Sequence, residues 1–144
     1  MWTFTFQRKI RRSLTQLIRM VREHPATAGA LDDPTVRQRL AQAHIEVELL
    51  RLAGYRSLTT LLRTGHPGEE SSLEKVVGSE TDQRLQALAV SLFGSYGALR
   101  EGPAALGAGT VPRAYLYSFG ETIMGGTSEI QRNVIAQRIL GLPR

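Results

Sequence analysis

The stretch from Pro34 to Thr64 constrains this chain more than any other. It has no proline after its first residue and a single glycine, Gly54. Its apolar residues Val36, Leu40, Ala43, Val47, Leu50, Leu58, Leu61 and Leu62 recur mainly at three- and four-residue steps. That spacing places them on one face of a long helix and does not suit a strand, whose faces alternate every second residue. Asp33 can cap the free amides at its start, and Pro34 suits the first helical position. Thr64-Gly65 ends it. A helix this long with one apolar face must bury that face against other helices, because the chain carries no strand signal of any length.

The rest of the chain supplies those partners. Ile10, Leu14, Leu17, Ile18 and Val21 make an apolar stripe on a first helix over 6–23, which His24-Pro25 ends. Residues 26–31 form a loop. His66-Pro67-Gly68 is a turn, and Ser71 with Glu74 matches a capping box ahead of a third helix over 72–93. Its core residues are Val76, Val77, Leu85, Leu88, Ala89 and Leu92, and Gly94 to Gly97 break it. After a Gly/Ala-rich loop over 102–112, a fourth helix runs from Pro112 towards Ile123. Gly125-Gly126-Thr127 interrupt it. A last helix follows over 128–140, with Ser128 and Gln131 as a second capping box and Ile130, Val134, Ile135, Ile139 and Leu140 as its apolar face. The expected fold is all-α, a four-helix-type up-down bundle in one domain over 1–144.

Composition narrows the function. The 144 residues contain no cysteine, which removes disulfides, thiolate metal sites and cysteine nucleophiles. Apolar residues make up 42% and charged residues 22%, the balance of an ordinary globular chain. The net charge is +5, with Arg8, Lys9, Arg11, Arg12, Arg19 and Arg22 near the start. These read as a solvated helix face; no aromatic residues are interleaved at stacking spacing, so no nucleic-acid partner is expected. No targeting segment is expected either, and the longest uncharged apolar stretch, 85–99, falls short of the roughly 20 residues of a membrane span. A cytoplasmic chain with no membrane span is the expectation. His24, His44 and His66 stand apart in sequence, with no Glu-x-x-His pair, so no metal site is expected.

One segment could carry chemistry: Gly125-Gly126-Thr127-Ser128-Glu129-Ile130-Gln131-Arg132. Two glycines let a ligand approach the backbone, and the amides of a helix start attract an anion such as a pyrophosphate. Read from spacing alone, the same residues also describe a capped helix start after a turn. Phe93-Gly94-Ser95-Tyr96-Gly97 is by itself a glycine stop for the third helix.

The run Ile123 to Asn133, with the ending Arg138-Ile139-Leu140-Gly141-Leu142-Pro143-Arg144, resembles the C-terminal signature of acyl-CoA dehydrogenases. Val36 to Ala41, Ser72 to Lys75, Asp82 to Leu85 and Leu92 to Gly97 have counterparts in that family. The resemblance spans about residues 10–144. It implies the C-terminal helical bundle of a flavoenzyme whose N-terminal helical domain and middle β-domain are not in this sequence. By the resemblance, the cofactor is FAD, and Ser91, Leu92, Phe93, Gly94 and Ser95 would touch it across a dimer interface. Thr127, Ser128 and Glu129 would contact it near its pyrophosphate, and Gly126 would lie against an acyl-CoA thioester. Many family members place a glutamate base just before the glycine-threonine pair. Here that residue is Gly125, so no catalytic residue is assigned, and Glu121 is the nearest upstream carboxylate. The family often has a glutamine and a glycine pair where this chain has Ser91 and Gly94-Ser95. The resemblance implies part of an enzyme for α,β-dehydrogenation of acyl-CoA, inactive alone, in a homo-oligomer or in a heteromer with another dehydrogenase subunit. Unequal subunits occur in the family among bacterial enzymes for sterol side chains. The alternative is a non-catalytic interaction subunit paired with a complete one.

Overall fold

The computed structural model describes residues 2–143, with side chains from residue 5 onwards. Met1 and the closing Arg144 of the C-terminal signature lie outside the described residues. Five α-helices follow in order: α1 (Trp2–Glu23), α2 (Pro34–Thr64), α3 (Glu70–Phe93), α4 (Thr110–Glu121) and α5 (Ser128–Val134). No strand occurs among the described residues. The architecture is the expected all-α four-helix-type bundle.

α1 and α2 pack against each other and both pack on α3, which also receives α4 and α5. The core joins Ile10, Leu14, Leu17 and Val21 of α1 to Leu40, Ala43, Val47 and Leu50 of α2 and Leu85, Leu88, Ala89 and Phe93 of α3. Both apolar stripes therefore face inward as their spacing predicts. The α2 stripe fades at its end: Leu58 and Leu61 are half-buried and Leu62 is 77% exposed. Gly54 is buried. Asp33 caps α2 as expected, its Oδ1 accepting from the Thr35 amide at 2.7 Å. At the far end the Gly65 amide donates to the Leu61 carbonyl at 2.8 Å.

Three local expectations are corrected. First, α3 starts at Glu70, and the Ser71–Glu74 capping box does not form. Glu74 is buried and accepts from Ser57 Oγ at 2.5 Å, while Ser71 Oγ donates to the Gly68 carbonyl at 3.2 Å. A carboxylate with a cross-helix donor does not turn back to its own helix start. Second, the loop before α4 is shorter than expected. Leu106 is buried and a 3-10 turn over Leu106–Gly109 leads into α4 at Thr110. Third, the last helix changes character. α5 is regular only to Val134 and continues as a π turn, Ile135–Ile139. Its apolar residues are not core: Ile130 is 54% and Leu140 64% exposed.

α3 is enclosed on most sides and carries unusual polarity for such a helix. Ser72, Glu74, Ser79, Thr81, Asp82 and Gln86 are all buried. Burying these groups unpaired would cost a few kcal/mol each, so they need partners. Thr81 Oγ1 donates to Glu46 Oε2 at 2.7 Å, where Arg84 also donates at 2.7 Å. Gln86 Nε2 donates to Asp82 Oδ1 at 2.9 Å. α3 is thus located by specific cross-helix bonds as well as by packing.

Replacing a core leucine of α2 should show where stability resides. Leu50→Ala, at a side chain 2% exposed, should lower the unfolding free energy by about 2–5 kcal/mol in urea denaturation. Leu62→Ala should change it by less than about 0.5 kcal/mol.

Candidate functional site

The segment joining α4 to α5 is held from several directions. The Ser128 amide donates to the Thr122 carbonyl at 3.0 Å and closes the connection. Lys75 Nζ, from α3, donates to the same carbonyl at 3.0 Å. Gln131 Nε2 reaches back to the Gly125 carbonyl at 2.9 Å. Burial lowers the Lys75 pKa from its ordinary value, and the Glu129 and Glu80 charges only partly oppose this. Between these ties, Gly125 (φ +68°) and Gly126 (φ +93°) adopt left-handed backbone that disfavours any side chain. A Cβ on Gly125 would meet nothing within 4 Å, whereas one on Gly126 would lie 2.6 Å from Gln131 Nε2. Both glycines are therefore required by their backbone angles; Gly125 faces open space, and Gly126 faces the amide end of Gln131.

The cap of α5 is Thr127, not Ser128. Thr127 Oγ1 accepts from the Ile130 amide at 3.3 Å. The expected Ser128–Gln131 box does not form, because Gln131 is engaged with Gly125. Ser128 Oγ is instead buried and has no hydrogen-bond partner. Glu129 lies at the start of α5, and its carboxylate is held below the usual range, first by its own amide and then by the Thr127 hydroxyl. Burial opposes this, and Arg132 and Lys75 add to it. An exposed carboxylate thus lies at this helix start.

Thr122, Ile123, Thr127, Ser128, Glu129 and Arg132 share a polar cleft of about 400 Å³ with Glu80, Gln83 and Arg84 of α3. Arg132 closes one side through an ion pair to Glu80 at 2.5 Å. The structure brings Thr127, Ser128 and Glu129 together here. Gly126 adjoins the cleft in sequence, while Gly125 lines an apolar cavity of about 380 Å³ with Phe6, Gly54, Leu58 and Leu61. The other candidate group is elsewhere. Ser91 to Phe93 end α3, roughly 10–14 Å along the helix from Arg84 at 1.5 Å per residue, and Gly94 and Ser95 follow in a 3-10 turn. There Ser91, Gly94 and Ser95 are exposed, and Leu92 is half-buried. Phe93 is 2% exposed, with its ring edge-on to His24 at 5.5 Å. Ser91 Oγ donates to the Leu88 carbonyl at 2.8 Å.

Sequence reasoning missed a third group. Lys9 Nζ donates to Asp82 Oδ2 at 2.8 Å and also to Glu121 Oε1, so one ammonium joins α1, α3 and α4. Asp82 falls three residues before the core residue Leu85, and a charge on an apolar face was the signal available. Glu121 is thereby turned into the bundle.

The family described as acyl-CoA dehydrogenase, C-terminal domain, matches residues 3–140, and the chain belongs to that family. It is 35% identical over 150 residues to the acyl-CoA dehydrogenase IpdE1 of Mycolicibacterium smegmatis, across all of this chain and 36% of that protein. It is 30% identical over 161 residues to IpdE1 of Mycobacterium tuberculosis, across all of this chain and 37% of that protein. The chain thus spans little more than a third of the length of these relatives. Among solved structures, a steroid acyl-CoA dehydrogenase, Tcur3481-Tcur3483, superposes with a TM-score of 0.79 at 26% identity, over 94% of this chain and 34% of that one. The ChsE4-ChsE5 complex of Mycobacterium tuberculosis gives 0.74 at 29% identity, over 92% and 36%. Acyl-CoA dehydrogenases as a family are FAD-dependent. No helix among the described residues is long and apolar enough to cross a membrane.

The corrected cap makes a prediction. Thr127→Ala should cost about 1 kcal/mol of stability by leaving the Ile130 amide without its acceptor. Ser128→Ala, which removes an unpartnered buried hydroxyl, should be neutral or slightly stabilising in the same thermal melts.

Proposed function

We propose that this chain serves as the C-terminal helical module of an FAD-dependent acyl-CoA dehydrogenase and does not catalyse the reaction alone. The observation that carries the reading is the Gly125–Gly126–Thr127 turn. It has the family signature, it is open at Gly125, and beside it Ser128 Oγ is buried without a partner. An orphaned buried hydroxyl suits a hydrogen-bonding part of a cofactor, so these residues fit FAD. Thr127 and Ser128 would contact it from this chain, with Glu129 close by. Ser91 to Ser95, through backbone and hydroxyl groups, would face FAD across a subunit boundary. Gly126 would leave room for the thioester of an acyl-CoA.

When bound, FAD takes hydride from the β-carbon of the thioester. The accompanying α-proton needs a carboxylate base, and the turn offers Gly125, which accepts none. Glu121 is committed to Lys9. The base therefore belongs to another part of the assembly.

Exposed apolar surface supports a partner. Ile45, Leu49, Leu52 and Tyr55 form a stripe down α2, each at least half exposed, and Leu116, Tyr117 and Ile123 are more exposed still around the end of α4. Surfaces of this kind mark protein contacts. The neighbouring structures include assemblies named as pairs of proteins, ChsE4-ChsE5 and Tcur3481-Tcur3483. A heteromer with a second dehydrogenase subunit is the arrangement these observations favour. The lost base also favours a second reading, in which the chain is a non-catalytic subunit that only completes a partner's fold.

The purified chain, given FAD, acyl-CoA and an electron acceptor, should show no dehydrogenation, since loss of an acid-base group alone costs about 10²–10⁴-fold. Co-expressed with a complete dehydrogenase subunit, it should co-purify with bound flavin and with turnover. Robust turnover by the chain alone contradicts the proposal. Turnover by the complete subunit that this chain leaves unchanged selects the non-catalytic reading.

A further inference from the structure

The Lys9–Asp82–Glu121 cluster has two carboxylates for one ammonium, inside the bundle. Asp82 is fully buried and Glu121 is 6% exposed. Asp82 is well satisfied, accepting from Lys9 on one oxygen and Gln86 on the other. Glu121 is not: Oε1 takes the Lys9 ammonium, and Oε2 is buried with no partner. A lone carboxylate oxygen beside a second carboxylate is a place for a proton. Glu121 also ends α4, and the next residue, Thr122, supplies the carbonyl on which both Lys75 and the Ser128 amide converge. Whatever moves Glu121 moves the anchor of the Gly125–Gly126 turn.

We propose that Lys9, Asp82 and Glu121 form a proton-operated clasp. With a proton on Glu121, the clasp holds the last turn of α4 against α1 and α3. Without it, an unpaired buried negative charge faces Asp82, and the end of α4 loosens together with the Gly125–Gly126 turn. This goes beyond the flavin reading and does not depend on it.

The surroundings agree. The groups facing Glu121 are Lys9 from α1, Asp82 from α3 and Lys75 at the adjoining Thr122 carbonyl. From α4 itself, Tyr117 lies with its ring 5.5 Å from Lys9 Nζ. The 3-10 turns packed on α4 contribute only one titratable side chain, Tyr96. Burial, then the hydrogen bond and charge of Asp82, push the Glu121 carboxyl up to about 7, against the opposing pull of Lys9. Lys9 is itself disfavoured by burial, yet its bonds to Asp82 and Glu121 outweigh this and hold it above its ordinary 10.5. The sign follows by linkage. A carboxyl raised in the folded state contributes stability that is complete below its unfolded value near 4.5 and is lost as pH rises through about 7. The raised Lys9 contributes stability that is complete below 10.5 and is lost at still higher pH. Between pH 4.5 and 7 the Glu121 contribution therefore falls as pH rises.

The test is an NMR titration of the whole chain from pH 5 to 9. It follows the Glu121 carboxyl carbon and the amides of Gly125 and Gly126. We expect one shared midpoint near 7 for that carbon and the two glycine amides, with the Ser128 amide, which donates to the Thr122 carbonyl, losing protection from exchange above it. Glu121→Gln should abolish the titration at both glycines and keep the low-pH positions. Two further variants give opposite signatures should that one fail to fold: Asp82→Asn should move the midpoint down, and Lys9→Met should move it up. A Glu121 carboxyl titrating in the ordinary carboxylate range overturns the proposal. So do glycine amides that ignore Glu121's midpoint, or a glycine titration that survives Glu121→Gln.

Discussion

Every other helix in this chain is placed by α3. It packs against α1, α2, α4 and α5 and has little solvent-facing surface along its middle. A helix so enclosed can take up its position through hydrophobic burial alone, which is strong but non-directional. This one adds direction. Glu74 meets Ser57, Thr81 meets Glu46, and Asp82 meets Lys9 across its length. These bonds set the register of two neighbouring helices, α1 and α2, against one frame. The α4–α5 connection, where the family signature lies, is hung from the same frame by Lys75 and by the ion pair of Arg132 with Glu80.

The fold was legible where apolar residues recur with helical spacing and punctuation is strong. The stripe of α1, that of α2 as far as Leu50, the Asp33 cap and the glycine stop at Gly65 stand where the sequence puts them, while the α2 stripe beyond Leu50 fades. Capping was less legible, because a cap competes with tertiary partners. Glu74 prefers Ser57 across the bundle, and Gln131 prefers the Gly125 carbonyl, so both expected boxes fail. The last helix misled for a related reason. Its apolar residues have helical spacing, yet a π turn from Ile135 and the lack of a covering element leave most of them facing outward. Apolar spacing shows which side of a helix seeks burial, not whether this chain supplies the cover.

The candidate site was legible as a motif but not as a geometry. The run of Gly125 to Arg132 shows a turn and a helix start, and the family match confirms the domain to which they belong. It does not show that Thr127 is the cap or that Ser128 Oγ is left over. Those facts depend on backbone angles and on side chains arriving from α3. They shift the meaning of the turn. Both glycines are demanded by their backbone angles, only Gly125 faces open space, and the polar cleft beside them retains one unsatisfied hydroxyl. The second group, Ser91 to Ser95, lies at and just beyond the other end of α3, outside that cleft.

The central claim is that this chain lends surfaces to a flavin site whose base and remaining walls lie elsewhere. The most direct measurement is a structure of the flavin-loaded complex between this chain and a complete dehydrogenase subunit. The account predicts flavin in contact with Thr127 and Ser128 of this chain, with Gly125 facing a carboxylate supplied from outside 1–144. A flavin wholly enclosed by the partner subunit, with the Gly125–Ser128 turn exposed to solvent, contradicts it.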